Sequence, residues 1–283
     1  MVLAVPGEPR GAGSANAFTL PLLMAKLAAG TPPDRLGRAL GLLGAMQAVG
    51  QTSAPLAGGL AAEVSWRWAF AAIAVVALLL AVCRLPPDGP HHHAGPARLR
   101  DAWRRSVLLP GLLALVGWAC LSGLSFLVAF RLEDTFGLSS GLRGLVLTGY
   151  GLVGFLTARH VGGLSDRFGT RSAAVLGLAA GGVLVAAIGI FDSLPVVAAA
   201  WALGGVCGQL IIVAVNTTVL SAGERGRSGA ISVVQALRFL GMAAAPAAFT
   251  APYHADTALG FLLPATLLVL VVPLALTLRP GRR

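Results

Sequence analysis

The sequence predicts an all-α membrane protein whose chain crosses the bilayer about nine times. Of its 283 residues, 56% are hydrophobic and only 11% are charged, whereas a soluble domain carries about 25% charged residues. The apolar residues form runs of roughly 18 to 24 residues, the length that a helix needs to span a membrane. Short breaks with turn residues separate these runs. Lipid is therefore the predicted solvent for most of the chain.

The predicted spans follow one another with short polar breaks. Proline, glycine and aspartate favour turns, and they mark breaks such as DRFGTR (166–171), FDSLP (191–195) and PYHADT (252–257). The stretch 84–105 is the longest polar segment and is predicted to link two bundles. The spans are placed near 12–29, 39–61, 67–84, 107–130, 142–160, 173–191, 195–217, 228–250 and 258–278.

The basic residues predict the orientation of the chain. Lys and Arg gather in cytoplasmic loops. If 84–105 lies inside, only four of the 21 Lys and Arg residues lie at the outer face, namely Arg10, Arg67, Arg131 and Arg143. The C-terminus is then cytoplasmic and Met1 lies outside, in a multi-pass protein of the plasma or inner membrane. This placement explains the net charge of +10 without nucleic acid as a partner.

No side-chain pattern predicts an enzyme, a cofactor or a metal site. Cys83, Cys120 and Cys207 lie in apolar runs without metal-ligand spacing, which is typical of small core residues. The segment GYGLVG (149–154) matches a nucleotide-binding glycine pattern, but it lies within a predicted membrane helix. It therefore indicates a close-packing helix face. No nucleophile–base pair occurs within the spans, so catalysis is not expected.

The chain contains an internal repeat. The segments DRLGRALGLLGAMQAVGQTSAP (34–55) and ERGRSGAISVVQALRFLGMAAAP (224–246) both begin with acidic and basic residues and then enter an apolar helix. Gly50-x-x-x-Ala54-Pro55 matches Gly241-x-x-x-Ala245-Pro246 at a constant offset of 191 residues. Parallel repeats of membrane bundles are typical of transporters.

Two motifs resemble those of the major facilitator superfamily. GGLSDRFGTR resembles its inner-loop motif, with Thr170 where a basic residue is usual; the matching residues are Gly162, Asp166, Arg167, Gly169 and Arg171. GLLGAMQAVGQTSAPLAGG resembles the motif of its antiporters, with Ala54 in place of one glycine; the other matching residues are Gly41, Gly50, Pro55, Gly58 and Gly59.

The resemblance implies bundles of the major facilitator type. The nine spans correspond to family helices four to twelve, so that 1–84 is an incomplete N-terminal bundle of three helices. Residues 85–106 are then a cytoplasmic linker, and 107–283 form a C-terminal six-helix bundle. The antiporter-like helix is expected to seal the contact between the halves, and the inner loop to latch helices. Plain helix packing and a capped loop are the alternatives.

Polar groups inside a membrane are costly, so each one is a candidate for function. Arg238 lies near mid-bilayer and matches Gln47 in the repeat; it either binds an anionic group or a counter-charge, or bonds backbone carbonyls. Interhelical contacts are the alternative for the other polar and aromatic residues. The candidates for a transport cavity are Asn16, Gln47, Gln51, Trp118, Tyr150, Trp201, Gln209, Asn216, Gln235 and Arg238.

All eleven acidic residues fall in predicted loops or at helix ends. Proton-coupled exporters need a titratable group at mid-membrane. Either the proton carrier lies in the missing family helices one to three, or the protein is not proton-coupled, or it does not transport. The sequence favours a secondary transporter that exports small apolar or amphipathic molecules by alternating access. Its partners would be lipid, a small-molecule substrate and, if coupled, protons. A truncated inactive remnant or accessory subunit is one alternative, and a metabolite uptake permease is another.

Overall fold

The computed structural model describes residues 33–82, 105–220 and 227–278, and all regular structure in these ranges is helical. The all-α prediction is thereby confirmed. The predicted span 12–29 and nearly all of the linker lie outside these ranges. In chain order the helices are α1 Pro33–Val64, α2 Trp66–Val82, α3 Arg105–Cys120, α4 Ser125–Asp134, α5 Ser140–Phe168, α6 Thr170–Ile190, α7 Leu194–Leu220, α8 Arg227–Ala255, α9 Thr257–Leu270 and α10 Val272–Leu276.

Six stretches of the described chain are long and apolar enough to cross a membrane: Val107–Asp134, Ser140–Ser165, Thr170–Ile190, Leu194–Val219, Ser232–Ala255 and Thr257–Leu276. They confirm the last six predicted spans as apolar helices. The second and third predicted spans fall on α1 and α2. α2 is apolar apart from Arg67 but has only 17 residues, and only Ser65 separates it from α1.

Two of the predicted spans are interrupted. The span predicted at 107–130 breaks after Cys120, where the 3-10 turn Ser122–Leu124 joins α3 to α4. This turn packs closely against its neighbours at Gly123. Any larger residue would be crowded there, because a Cβ would lie 2.9 Å from both the Ala245 side chain and the Trp118 carbonyl. The last span divides at Val271, since Pro273 has no N–H to continue the α-helical bonds.

Some predicted turns are shorter than expected. The prediction of a turn over 252–257 is wrong for its first residues, because α8 continues through Pro252 to Ala255. Only Asp256 is non-helical, and its Oδ1 accepts hydrogen bonds from the N–H groups of Ala258 (2.7 Å) and Leu259 (3.3 Å). This side chain provides acceptors for free backbone N–H groups in the first turn of α9. Gly169 alone separates α5 from α6, with a φ of +86° that favours glycine.

The contacts divide the chain into two units. One contains α1 as far as Val49 together with α2 from Val76, and the other contains Gly50–Val75 with all helices from α3 onward. In the second unit α7 packs against both α5 and α6, α3 packs against α8, and α9 packs against α6. Their shared core is built from aliphatic side chains such as Leu113, Leu178 and Ile211, with Phe261 fully buried.

Candidate functional site

The contact between α5 and α7 is formed by glycines around Tyr150. A Cβ at Gly205 would overlap the Tyr150 carbonyl oxygen, and a Cβ at Gly208 would overlap its hydroxyl oxygen. On α5, Gly154 faces the Gly205 carbonyl, which an added Cβ would approach to 3.0 Å. The close-packing face predicted from GYGLVG is therefore confirmed. Its partner on α7 was not predicted from the sequence, although the glycines at 204, 205 and 208 lie on one helical stretch.

Trp201 lies within this same helix contact. Its indole N–H donates a hydrogen bond to the Leu147 carbonyl (3.1 Å), and its ring centroid lies 4.9 Å from that of Tyr150. Trp201 is buried, whereas Tyr150 is half-buried. The indole donor already has a partner, so the structure places Trp201 in the packing between α5 and α7.

Arg238 on α8 lies over the ring of Trp118 on α3. The central guanidinium carbon is 4.2 Å from the ring centroid, which is within the range of a cation–π interaction. Nη1 also faces the Gln235 Oε1 at 3.4 Å. The two helices approach closely at Gly241, where an added Cβ would overlap the Leu115 carbonyl. Three predicted cavity residues, Trp118, Gln235 and Arg238, are thus brought together.

The other predicted cavity residues are more dispersed. Gln209 is half-buried, and its Cγ lies 3.5 Å from the position of a Cβ on Gly154. Gln51 and Asn216 are exposed. Asn16 and the side chain of Gln47 lie outside the described part of the structure.

Two of the matching residues of the antiporter-like motif contact α5. A Cβ at Gly59 would overlap the Ser140 carbonyl and lie 3.1 Å from the Gly144 Cα, while a Cβ at Gly144 would overlap the Pro55 carbonyl. Gly50 and Gly58 have no atom within 4 Å of such a position. Ala54 is exposed, and Gly41 lies in α1 without described surroundings. The predicted close approach therefore occurs at Pro55 and Gly59.

The two copies of the repeat pack differently. Gly241 is buried against the Leu115 carbonyl, and Ala245 lies against the turn at Gly123. Their counterparts Gly50 and Ala54 are exposed. The sequence match between the copies thus does not extend to the same helix contacts in the described structure.

The inner-loop motif links α6 to the end of the described chain. Nη2 and Nε of Arg171 donate hydrogen bonds to the Leu278 carbonyl at 2.9 and 3.3 Å. The guanidinium carbon of Arg167 lies 5.5 Å from the Phe168 ring centroid. Gly162 lies in α5 with open space around it. The side chain of Asp166 is outside the described part of the structure.

The carboxylates with described side chains lie at the ends of helices, on the face predicted to be outside. Arg131 pairs with Asp192 at 2.8 Å, Arg143 pairs with Glu133, and the Tyr253 hydroxyl donates to Asp134 at 2.9 Å. With Asp256 at the start of α9 and Glu63 at the end of α1, all five have partners there.

Glu63 caps the beginning of α5 from a different helix. Its Oε1 accepts hydrogen bonds from the Ser139 hydroxyl (2.6 Å) and the Gly141 N–H (2.9 Å). Ser139 is the N-cap residue but its own side chain makes no capping bond. A carboxylate at a helix N-terminus is favoured by the helix dipole. These hydrogen bonds lower the pKa of Glu63 below its ordinary value.

Replacing Glu63 by glutamine is expected to lower the thermal unfolding midpoint at pH 7. Because the folded-state pKa is lowered, the stabilisation is complete above the ordinary glutamate value of about 4.3 and is lost as the pH falls through the lowered folded value. Unfolding in detergent at pH 7 and pH 3.5 checks this. The gap between wild type and Glu63→Gln should narrow at pH 3.5. A difference in unfolding midpoint that stays constant between the two pH values contradicts the cap. In the Glu63→Gln background, the further change Ser139→Ala should lower the midpoint little.

The described residues contain no group of three or more His, Cys, Asp or Glu side chains that could hold a metal ion. Cys120 and Cys207 are both buried and have no disulfide bond. The two cysteines are therefore packed as small core residues, as the sequence predicts.

Comparison with known proteins gives a family and a relative. The family model described as Major Facilitator Superfamily matches residues 11–158 and 124–283. The "Rubrofusarin-specific efflux pump aurT" of Gibberella zeae is 29% identical to the chain over 113 residues. That match covers 38% of the chain and 20% of the pump, so the chain aligns with about a fifth of that relative's length.

Proposed function

The chain belongs to the major facilitator superfamily, and from this premise we propose that it exports small apolar or amphipathic molecules by alternating access. The chain is a multi-pass membrane protein with apolar helices of spanning length. The similarity to a protein described as an efflux pump supports transport in the outward direction.

The observation that carries the proposal is the contact of the antiporter-like motif with α5. At Pro55 and Gly59 the backbones of α1 and α5 touch without intervening side chains. Small residues allow such an approach where lipid provides no hydrophobic drive for helix association. A backbone contact excludes water and ions, and Glu63 adds two hydrogen bonds one turn further on. This arrangement supports a closed outer seal, which an exporter opens only to release its substrate.

Substrate would bind among the polar and aromatic residues of the C-terminal bundle. Arg238 contacts both Trp118 and Gln235, and all three residues lie on helices that are long and apolar enough to cross a membrane. In the proposed cycle, the bundles 1–84 and 107–283 rock about this midplane site, connected by the cytoplasmic linker 85–106. The C-terminus lies in the cytoplasm.

We expect inside-out membrane vesicles that contain the chain to accumulate radiolabelled 2-naphthol, a small amphipathic molecule, when energised. Vesicles without the protein provide the baseline, and a protonophore tests whether protons drive the accumulation. Uptake into right-side-out vesicles instead would favour a permease. Absence of accumulation in both orientations, with folded protein present, would contradict transport by this chain and favour an accessory role.

A further inference from the structure

Arg238 carries a positive charge deep within the helical bundle. It lies 11 residues after the start of α8 at Arg227, which is about 16 Å along the helix. Its Nε is buried and has no hydrogen-bond partner among the described residues. The side chain as a whole is only partly buried, so the guanidinium is not completely enclosed.

No described carboxylate neutralises Arg238. The five acidic residues with described side chains bind other groups at the helix ends: Glu63 binds Ser139 and Gly141, Glu133 binds Arg143, Asp134 binds Tyr253, Asp192 binds Arg131 and Asp256 binds Ala258. A cation inside a membrane is costly unless it is paired. The Trp118 face and the Gln235 oxygen offset part of this cost, but neither carries a full negative charge.

The surroundings of Arg238 match an aromatic anion. Guanidinium groups bind carboxylates through two parallel hydrogen bonds and stack on aromatic faces. Trp118 already stacks on one side of the group, and Tyr150 and Gln209 lie on the neighbouring helices α5 and α7. A ligand with a carboxylate at one end and an aromatic ring at the other would supply the missing charge and pack against these apolar surfaces.

We propose that Arg238 and Trp118 bind the anionic end of an aromatic organic acid, one class among the small amphipathic molecules that the chain is proposed to export. The inference rests on the proposed function, because it names the substrate of the same bundle. It differs from a structural role of Arg238, in which the arginine would need no ligand and its replacement would alter stability alone.

Equilibrium dialysis tests the proposal with the full chain in nanodiscs of neutral phosphatidylcholine. The probes are radiolabelled 2-naphthoate and, for comparison, the cation 2-naphthylmethylammonium. We expect 2-naphthoate to bind at least about tenfold more tightly than the cation. A tenfold difference in affinity is about 1.4 kcal/mol, which is close to the smallest contribution expected from a hydrogen bond to a charged group. Arg238→Gln should remove most of this preference, and Trp118→Phe should weaken 2-naphthoate binding less.

Arg67→Gln is the matched control, because Arg67 also lies over a tryptophan ring, with 5.6 Å between its guanidinium carbon and the Trp66 centroid, but is exposed. This variant should bind 2-naphthoate like the wild type. Equal 2-naphthoate affinity in wild type and Arg238→Gln overturns the proposal, as does an equal loss in Arg67→Gln. If Arg238→Gln does not fold, Arg238→Lys decides, because it keeps the charge but loses the paired donors; unchanged 2-naphthoate affinity in that variant overturns the proposal.

The binding experiment uses no gradient, so its outcome is separate from that of the transport experiment. Binding that depends on Arg238 without vesicle accumulation would contradict the proposed transport only. If vesicles accumulate 2-naphthol but 2-naphthoate binds equally to wild type and Arg238→Gln, only the aromatic-acid site is contradicted.

Discussion

Replacing Gly205 by alanine should destabilise the unit that contains α5 and α7 by about 3 kcal/mol or more, at the upper end of overpacking costs. The new Cβ would overlap the Tyr150 carbonyl oxygen and lie 3.0 Å from the Gly154 nitrogen. Both atoms belong to the backbone of α5, so no side-chain rotation relieves the collision. The helices α5 and α7 would have to move apart, which would also disturb the contact between Tyr150 and Trp201.

Thermal unfolding in detergent measures this effect. A loss of about 3 kcal/mol corresponds to a fall of roughly 6–12 °C in the unfolding midpoint for a chain of this size. Gly163→Ala is the matched control, since Gly163 also lies within a long helix but has nothing within 4 Å of an added Cβ. It should be neutral or slightly stabilising, because alanine has the higher helix propensity. Equal midpoints for the two variants would show that the α5–α7 contact is not as close as described.

Replacing Gly59 by leucine should impair transport far more than the same change at Gly58. A side chain at Gly59 collides with the Ser140 carbonyl, whereas Gly58 faces open space one residue earlier. An overpacking cost of about 1–3 kcal/mol in the closed arrangement alone would shift the conformational equilibrium by about 5- to 150-fold. The expected result is a leak at the outer face and a comparable fall in net accumulation of substrate.

The comparison uses the vesicle assay together with the rate at which an imposed pH gradient decays. Vesicles with Gly59→Leu should lose the gradient faster than those with wild type, and vesicles with Gly58→Leu should not. If both variants behave like wild type in accumulation and in leak, the α1–α5 contact is not an outer seal. Midpoints of thermal unfolding separate this outcome from simple loss of folded protein.

The sequence is sufficient to predict the helices because hydrophobic length is a local property. Runs of apolar residues at 142–160 and 173–191 correspond directly to α5 and α6. The interruption after Cys120 and the continuation of α8 through Pro252 were not predictable, because both depend on neighbours. Gly123 fits a turn against Ala245, and Asp256 satisfies the helix that follows.

The candidate site was predictable in its residue types but not in its contacts. A charged residue in an apolar run identifies Arg238 from sequence alone, and Trp118 lies in another apolar run. Their stacking depends on the close approach of α3 and α8 at Gly241. Glu63 could not be predicted as a cap, because its partners, Ser139 and Gly141, are more than 75 residues away in sequence, and local spacing carries no information about such a contact.

The junction at Gly169 has a mechanical consequence. A single residue connects α5, which has 29 residues, to α6, which has 21. The two helix ends therefore cannot move far apart. α5 is about 44 Å long at 1.5 Å per residue, and a tilt of about 5° about its Gly169 end would displace its Ser140 end by about 4 Å. α5 thus acts as a lever. Its Ser140 end holds the Gly59 and Glu63 contacts, and its Gly169 end adjoins the helix that Arg171 fastens to Leu278, so a small tilt at one end becomes a larger displacement at the other.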